Sequence, residues 1–157
     1  MLHLRILCVG RTESGFVRTG VDHYLHRLRM LREVEWEEVR SAGHSGRPVS
    51  QALAAEGKSI LKRVAASDRL VLLDEKGREC TSQGLAEWLE RIQETGLSRL
   101  VLVVGGAYGH SREVRERAAE QLSLSRLTLP HQLVRIVLLE QLYRAATILA
   151  GQPYHHG

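Results

Sequence analysis

Two short runs in this chain contain no polar residue: Leu70-Val71-Leu72-Leu73 and Leu100-Val101-Leu102-Val103-Val104. Runs this short and this apolar fit strands buried on both faces, the central strands of a sheet with helices above and below. Around them the hydrophobic period changes. Leu4, Ile6, Cys8 and Val9 make a first strand ended by Gly10, and Val17, Val21, Tyr24, Leu25 and Leu28 fall at helical spacing across Ser14 to Arg29. Val34 to Val39 alternates with charged positions and predicts a strand at a sheet edge. Ser41 to Pro48 is rich in turn formers and predicts a loop. A helix is expected from Val49 to Val64, a turn at Glu75-Lys76-Gly77, and a helix from Ser82 to about Thr95. Ser111 is placed to cap a further helix, with Glu113 near its positive end.

Strand–helix alternation of this kind predicts an α/β fold, a Rossmann-like, mainly parallel sheet covered by helices, as one domain over residues 1–157. In such sheets ligands bind at the carboxyl ends of the strands. The loops after Leu73, after Val104 and around Leu124 to Leu129 are therefore the candidate binding loops.

Composition narrows the function classes. A length of 157 residues with 43% hydrophobic content suffices for a real core. The apolar segment Leu133 to Leu139 is interrupted by Arg135 and followed by Glu140 and Arg144, so no membrane span is expected. The N-terminus enters directly into an alternating pattern, without signal-peptide architecture, and the cytoplasm is the expected location. Cys8 and Cys80 are too few for a disulfide framework. Neither they nor His3, His23, His26 and His44 show metal-ligand spacing, so no metal is expected. The net charge of +4 and pI near 9.4 permit a polyanionic partner. Nearly all the positive charge is arginine, which suits phosphate forks and base stacking.

The last third of the chain is the most informative. A strand ending at Val104 runs into Gly105-Gly106-Ala107-Tyr108-Gly109, then a short strand, then Leu124-Ser125-Arg126-Leu127-Thr128-Leu129-Pro130-His131. The glycine loop lacks the G-x-G-x-x-G fingerprint and the Lys-Ser/Thr of a phosphate loop, so from the residues alone a plain turn is as good a reading as a cofactor loop. The leucines of the second segment read first as ordinary core. Pro130 suits the first turn of the helix that follows. That helix is apolar on nearly all sides, more than one sheet contact requires, and a homodimer is the economical explanation. Arg135 and Arg144 interrupt it, and a solvated face or surface ion pair accounts for most such arginines. The chain ends in Pro153-Tyr154-His155-His156, where fraying is the common fate.

Together these segments, with Glu140-Gln141-Leu142-Tyr143-Arg144-Ala145, resemble the ribosomal RNA large-subunit methyltransferase H family, small SPOUT-class enzymes. Leu4 to Gly10 and Leu70 to Gly77 fit that family's earlier strands, so the resemblance covers nearly the whole chain. It implies a trefoil knot made by the C-terminal segment, which general topology rules would not suggest. It implies S-adenosylmethionine as cofactor, contacted by Leu73, Gly105 and Leu124, Ser125, Arg126, Leu127, Thr128 and Leu129. The implied reaction is methylation at N3 of a pseudouridine in the helix 69 loop of 23S rRNA, on the assembled ribosome, by a homodimer. Arg144, His131, Tyr154 and His155 are the expected catalytic residues. One departure stands out: a basic residue usually follows the Tyr-His pair, and here His156 does. Two other readings remain beside this one, a Rossmann-like enzyme using another nucleotide cofactor and a non-catalytic ribosome-binding factor.

Overall fold

The structure is a computed structural model that describes residues 2–43 and 46–155. The positions His44 and His156 lie outside the described residues. Five strands form one parallel sheet in the order β2-β1-β4-β3-β5: β1 (His3–Val9), β2 (Val34–Val39), β3 (Arg69–Glu79), β4 (Arg99–Val104) and β5 (Glu120–Ser123). The apolar runs of β3 and β4 are central and fully buried, and the alternating, charged β2 is an edge strand. The expected α/β sheet is present, and every strand pair is parallel.

Helices α1 (Phe16–Arg29), α3 (Ser82–Glu94) and α5 (His131–Leu149) cover one face, and α2 (Val49–Leu61) with α4 (Arg112–Arg117) covers the other. Side chains alternate between the two layers as a strand requires: Leu100, Leu102 and Val104 enter the first core, Val101 and Val103 the second. Helix α3 starts at Ser82 as expected, with Thr81 capping it by accepting from the Gly84 amide at 2.9 Å, and Ser111 caps α4 through Val114 at 3.2 Å. Pro130 precedes α5 as its N-cap instead of entering its first turn.

The expected turn at Glu75-Lys76-Gly77 is not one. β3 continues through it to Glu79, and its register against β5 shifts between Leu73 and Arg78. The extra residues bow out as a bulge, and glycine is needed where the backbones close again. A Cβ on Gly77 would lie 2.7 Å from the carbonyl carbon of Gln121.

Arg135 also departs from expectation. It is not on a solvated face but completely buried, donating to the Val9 carbonyl at 2.8 Å and to Thr12 Oγ1 at 3.0 Å. Gln132, one helical turn earlier, accepts from the Glu13 amide and donates to the Arg11 carbonyl. These bonds fasten the start of α5 to the loop between β1 and α1. Arginine serves because its stem can lie among apolar neighbours while its fork satisfies two backbone-level acceptors at once. Among the described residues no helix is long and apolar enough to cross a membrane.

Candidate active site

At the carboxyl ends of β3, β4 and β5 the structure has an open cleft of about 680 Å³, the size of a small-molecule site. Its walls are the point on β3 where the apolar run ends at Leu73, the glycine loop from Gly105 to Gly109, and the segment from Leu124 to His131. Of the residues singled out in the sequence, Leu73, Gly105, Leu124, Ser125, Leu127, Thr128, Leu129 and His131 all line this one cleft. Arg126 does not: its side chain is 85% exposed and lies 3.7 Å from Glu79.

The leucine segment is irregular because side chains hold its backbone. Ser123 Oγ donates to the Ser125 carbonyl, Ser125 Oγ accepts from the Leu127 amide, and Thr128 Oγ1 donates to Glu75. Such an irregular loop turns backbone polar groups outward beside leucine side chains, which suits a flat heterocycle with polar edges.

Gly105 is constrained by its own loop before any ligand is considered. A Cβ there would sit 2.9 Å from the Gly109 carbonyl oxygen and 3.1 Å from His110 Cε1. Its own loop, not only a ligand, demands the missing side chain. Gly109 closes that loop at φ 83°, its amide donating to the Gly106 carbonyl.

Several polar residues of the cleft, among them His110, Asp74 and Arg115, were not singled out in the sequence. His110 is buried, and its Nε2 lies 2.9 Å from the Leu73 carbonyl oxygen. A carbonyl only accepts, so Nε2 carries the proton, and the buried Nδ1 has no partner. Burial is the main cause holding the ring's pKa below its ordinary value, and the nearby Arg115 adds to it. Asp74 accepts from Arg115 Nη1 at 2.8 Å and from the Lys76 amide at 2.9 Å. Burial alone would raise the Asp74 carboxyl, but those two donors and the Arg115 charge hold it below the usual range. Asp74 could have been found as the first polar residue at the carboxyl end of an apolar strand. His110 and Arg115 leave no such trace.

The other expected catalytic residues gather elsewhere. Glu140 Oε1 accepts from Arg144 Nε at 3.0 Å, Arg144 Nη2 at 2.6 Å and the Tyr154 hydroxyl at 3.1 Å. The Arg144 guanidinium also lies 4.9 Å from the Tyr154 ring centre, and Tyr143 meets Tyr154 edge-on. Burial first, then the Glu140 charge, pushes the Tyr154 phenol up to about 12, so it remains a donor at neutral pH. His155 stands beside this cluster in sequence with a buried, unpartnered Nδ1. Glu140 is the member of this cluster that sequence reasoning did not place in a site, although its i,i+4 spacing to Arg144 was a readable signal.

The cleft meets α5 at His131, and the charged cluster sits on the same helix around Arg144. Thirteen residues separate the two, which is about 20 Å along an α-helix. One chain does not bring the two groups together. Among the described residues no three His, Cys, Asp or Glu side chains converge to hold a metal ion.

A family model described as "Predicted SPOUT methyltransferase" matches residues 2–155. This chain belongs to the SPOUT methyltransferase family. Among relatives of this SPOUT protein, a ribosomal RNA large subunit methyltransferase H of Geotalea daltonii is 43% identical over 155 residues, covering 99% of this chain and 100% of the relative. A protein of the same name from Desulfovibrio desulfuricans is 44% identical over 153 residues, covering 98% and 97%. The fold also resembles a solved structure of a probable methylase family protein from Haemophilus influenzae Rd KW20. That structure shares 11% identity at a TM-score of 0.55, covering 98% of this chain and 70% of the other.

Proposed function

We propose that this SPOUT protein methylates N3 of a pseudouridine in the helix 69 loop of 23S rRNA, on the assembled ribosome, with S-adenosylmethionine as methyl donor. The observation that carries the reading is the cleft. Eight residues expected from the sequence to touch that cofactor or the acceptor converge on it, in a chain whose relatives carry an rRNA methyltransferase name. The C-terminal segment is proposed to be threaded as the family's trefoil knot, and residues 1–157 to act as one domain in the cytoplasm.

The cofactor fits what is built here. Leu124, Leu127 and Leu129 offer an apolar surface for adenine, with the backbone of the same loop free to hydrogen-bond its edge. Leu73 closes the pocket from the end of the apolar run of β3. S-adenosylmethionine supplies a methyl already activated by its sulfonium charge, so the protein's tasks are alignment and management of the acceptor proton. N3–H of a uracil-type ring is weakly acidic, and its anion spreads charge onto the carbonyl oxygens. Arg144 is the proposed cation for those oxygens. Glu140 fixes its Nε and Nη2, which leaves Nη1 as the donor for the base. Tyr154, a protonated phenol held by the same carboxylate, stacks on or donates to the ring. His131, at the cleft's edge, or His155 accepts the N3 proton.

The separation of cleft and cluster makes a homodimer part of the proposal: the tail and Arg144 of one copy would complete the cleft of the other. Half-buried Leu133 and Val137 on α5 supply apolar surface for that contact. The test is transfer of labelled methyl from S-adenosylmethionine to ribosomes lacking this modification, with mass spectrometry of the 23S rRNA to locate it. Binding to ribosomes without any transfer would overturn the reading in favour of a non-catalytic factor.

A further inference from the structure

A second cleft, of about 230 Å³, opens beside the first and shares with it Gly106, Ala107, Tyr108 and His131. Its floor is the carboxyl end of β1, at Val9 and Gly10. The chain leaves β1 for α1 on one face of the sheet and leaves β4 for α4 on the other. Neighbouring strands whose connections part in this way leave a crevice between them, the usual place for a ligand in an open parallel sheet.

The charge around this crevice is distinctive. Among the described residues every arginine side chain engages in a hydrogen bond, ion pair or ring contact except Arg11, Arg40, Arg47 and Arg91. One of those four lines the second cleft, and two more adjoin its lining residues in sequence. Arg11 lines it, Arg40 immediately precedes the lining Ser41, and Arg47 stands two residues before the lining Val49. All three are exposed. The N-terminal ends of α2 and α5 open on the same cleft, each without a side-chain cap or an acidic residue in its first turn. Their free amides add to the positive potential.

Two carboxylates also line the cleft and set where an anion can sit. Glu56 is occupied by Ser41 Oγ and the Ala42 amide, each at 3.1 Å, while Glu13 repels negative charge from the interior. A phosphate is therefore favoured at the arginine rim, and an uncharged base within.

We propose that the second cleft holds a nucleotide of single-stranded RNA next to the methyl acceptor, its flanking phosphates bound by Arg11, Arg40 and Arg47. This rests on the methyl-transfer reading above and extends it from the cofactor to the path of the RNA strand. Chain continuity supports it: an acceptor base reaching the first cleft must have a neighbour within one nucleotide, and the shared wall leads that neighbour here.

The experiment compares wild type with the triple variant Arg11→Ala/Arg40→Ala/Arg47→Ala, and with Arg91→Ala as the fourth free arginine, on α3. The probes are ribosomes lacking the modification and S-adenosylmethionine alone. The triple variant is expected to keep its melting temperature and cofactor affinity while its KM for ribosomes rises about tenfold or more, with kcat changed far less. Its ribosome affinity should depend less steeply on salt, the log–log slope falling by about 2, near 0.7 per single-strand phosphate contact. Arg91→Ala should match wild type. Unchanged KM and salt slope in the triple variant, or an equal loss in Arg91→Ala, overturns the proposal. If wild type transfers no methyl at all, the methyl-transfer reading fails instead, and filter binding of the same variants to ribosomes still decides the cleft.

Discussion

The two ends of α5 solve different problems. Its N-terminal half is fastened by Gln132 and Arg135 to the loop after β1, and it opens on a cleft built from backbone and leucines. Its C-terminal half carries a charged knot of Glu140, Arg144 and Tyr154 in which one carboxylate oxygen serves three donors. Arg135 and Arg144 are nine residues apart on one helix, yet the first is sealed in the core and the second is half-buried at the surface. Burial, not residue type, separates an arginine that fastens the fold from one proposed to act on the substrate. Substitutions at the two should therefore fail in different ways.

The largest effect is expected at Arg144. Arg144→Ala should lower kcat by about 10²- to 10³-fold, the usual cost of a lost donor to developing negative charge, with cofactor affinity and melting temperature little changed. Leu129→Glu, which puts a carboxylate on the apolar wall of the cleft, should abolish cofactor binding instead. If the cleft of one copy is completed by the cluster of another, refolding the two inactive variants together should restore part of the turnover. A mixture that stays inactive, although mixed dimers are seen by native mass spectrometry, breaks the composite site.

Arg135→Ala should do the reverse, costing stability by about 3 kcal/mol or more while sparing chemistry in the molecules that remain folded. The change leaves the Val9 carbonyl and Thr12 hydroxyl without their donor and opens a cavity. Arg135→Met fills the space and removes a buried charge, so its cost should be smaller. Urea denaturation measures both. Equal losses in the two variants would mean that the hydrogen bonds, and not packing volume, are what Arg135 supplies.

That contrast also marks how far the sequence could be read. Periodicity located the strands and helices to within a few residues, because central strands and packed helix faces leave uninterrupted apolar runs. It misread Glu75-Lys76-Gly77 because a bulge has the composition of a turn, and only the partner strand distinguishes them. It misread Arg135 because a buried arginine is satisfied by carbonyl and hydroxyl groups over 120 residues earlier, a long-range fact that no local pattern records. The loop around Leu124 to Leu129 was a candidate from its place beyond a strand, but its leucines look like core, and only family resemblance turned them into expected cofactor contacts. His110, Asp74 and Arg115 went unnoticed because their meaning lies in mutual contact.

His110 gives the last and smallest effect. Its neutral ring ties the glycine loop to the carbonyl of Leu73, two walls of the cleft. Because burial lowers its pKa in the folded protein, protonation opposes the folded cleft. The stabilisation is full above the ordinary histidine value of about 6.5 and fades as pH falls below it. Asp74, which faces the ring, does not mask this window, because its carboxyl is held below the ordinary carboxylate range. In His110→Gln the amide nitrogen can replace Nε2 as donor to Leu73 without titrating. Wild type should therefore lose melting temperature and cofactor affinity between pH 7 and pH 5.5 more steeply than His110→Gln, while the two agree at pH 7.5. His131 is present in both proteins, so the difference between the curves isolates His110. Parallel curves would mean that the Leu73 clasp does not depend on a neutral histidine, and that the cleft keeps its shape through the glycine loop alone.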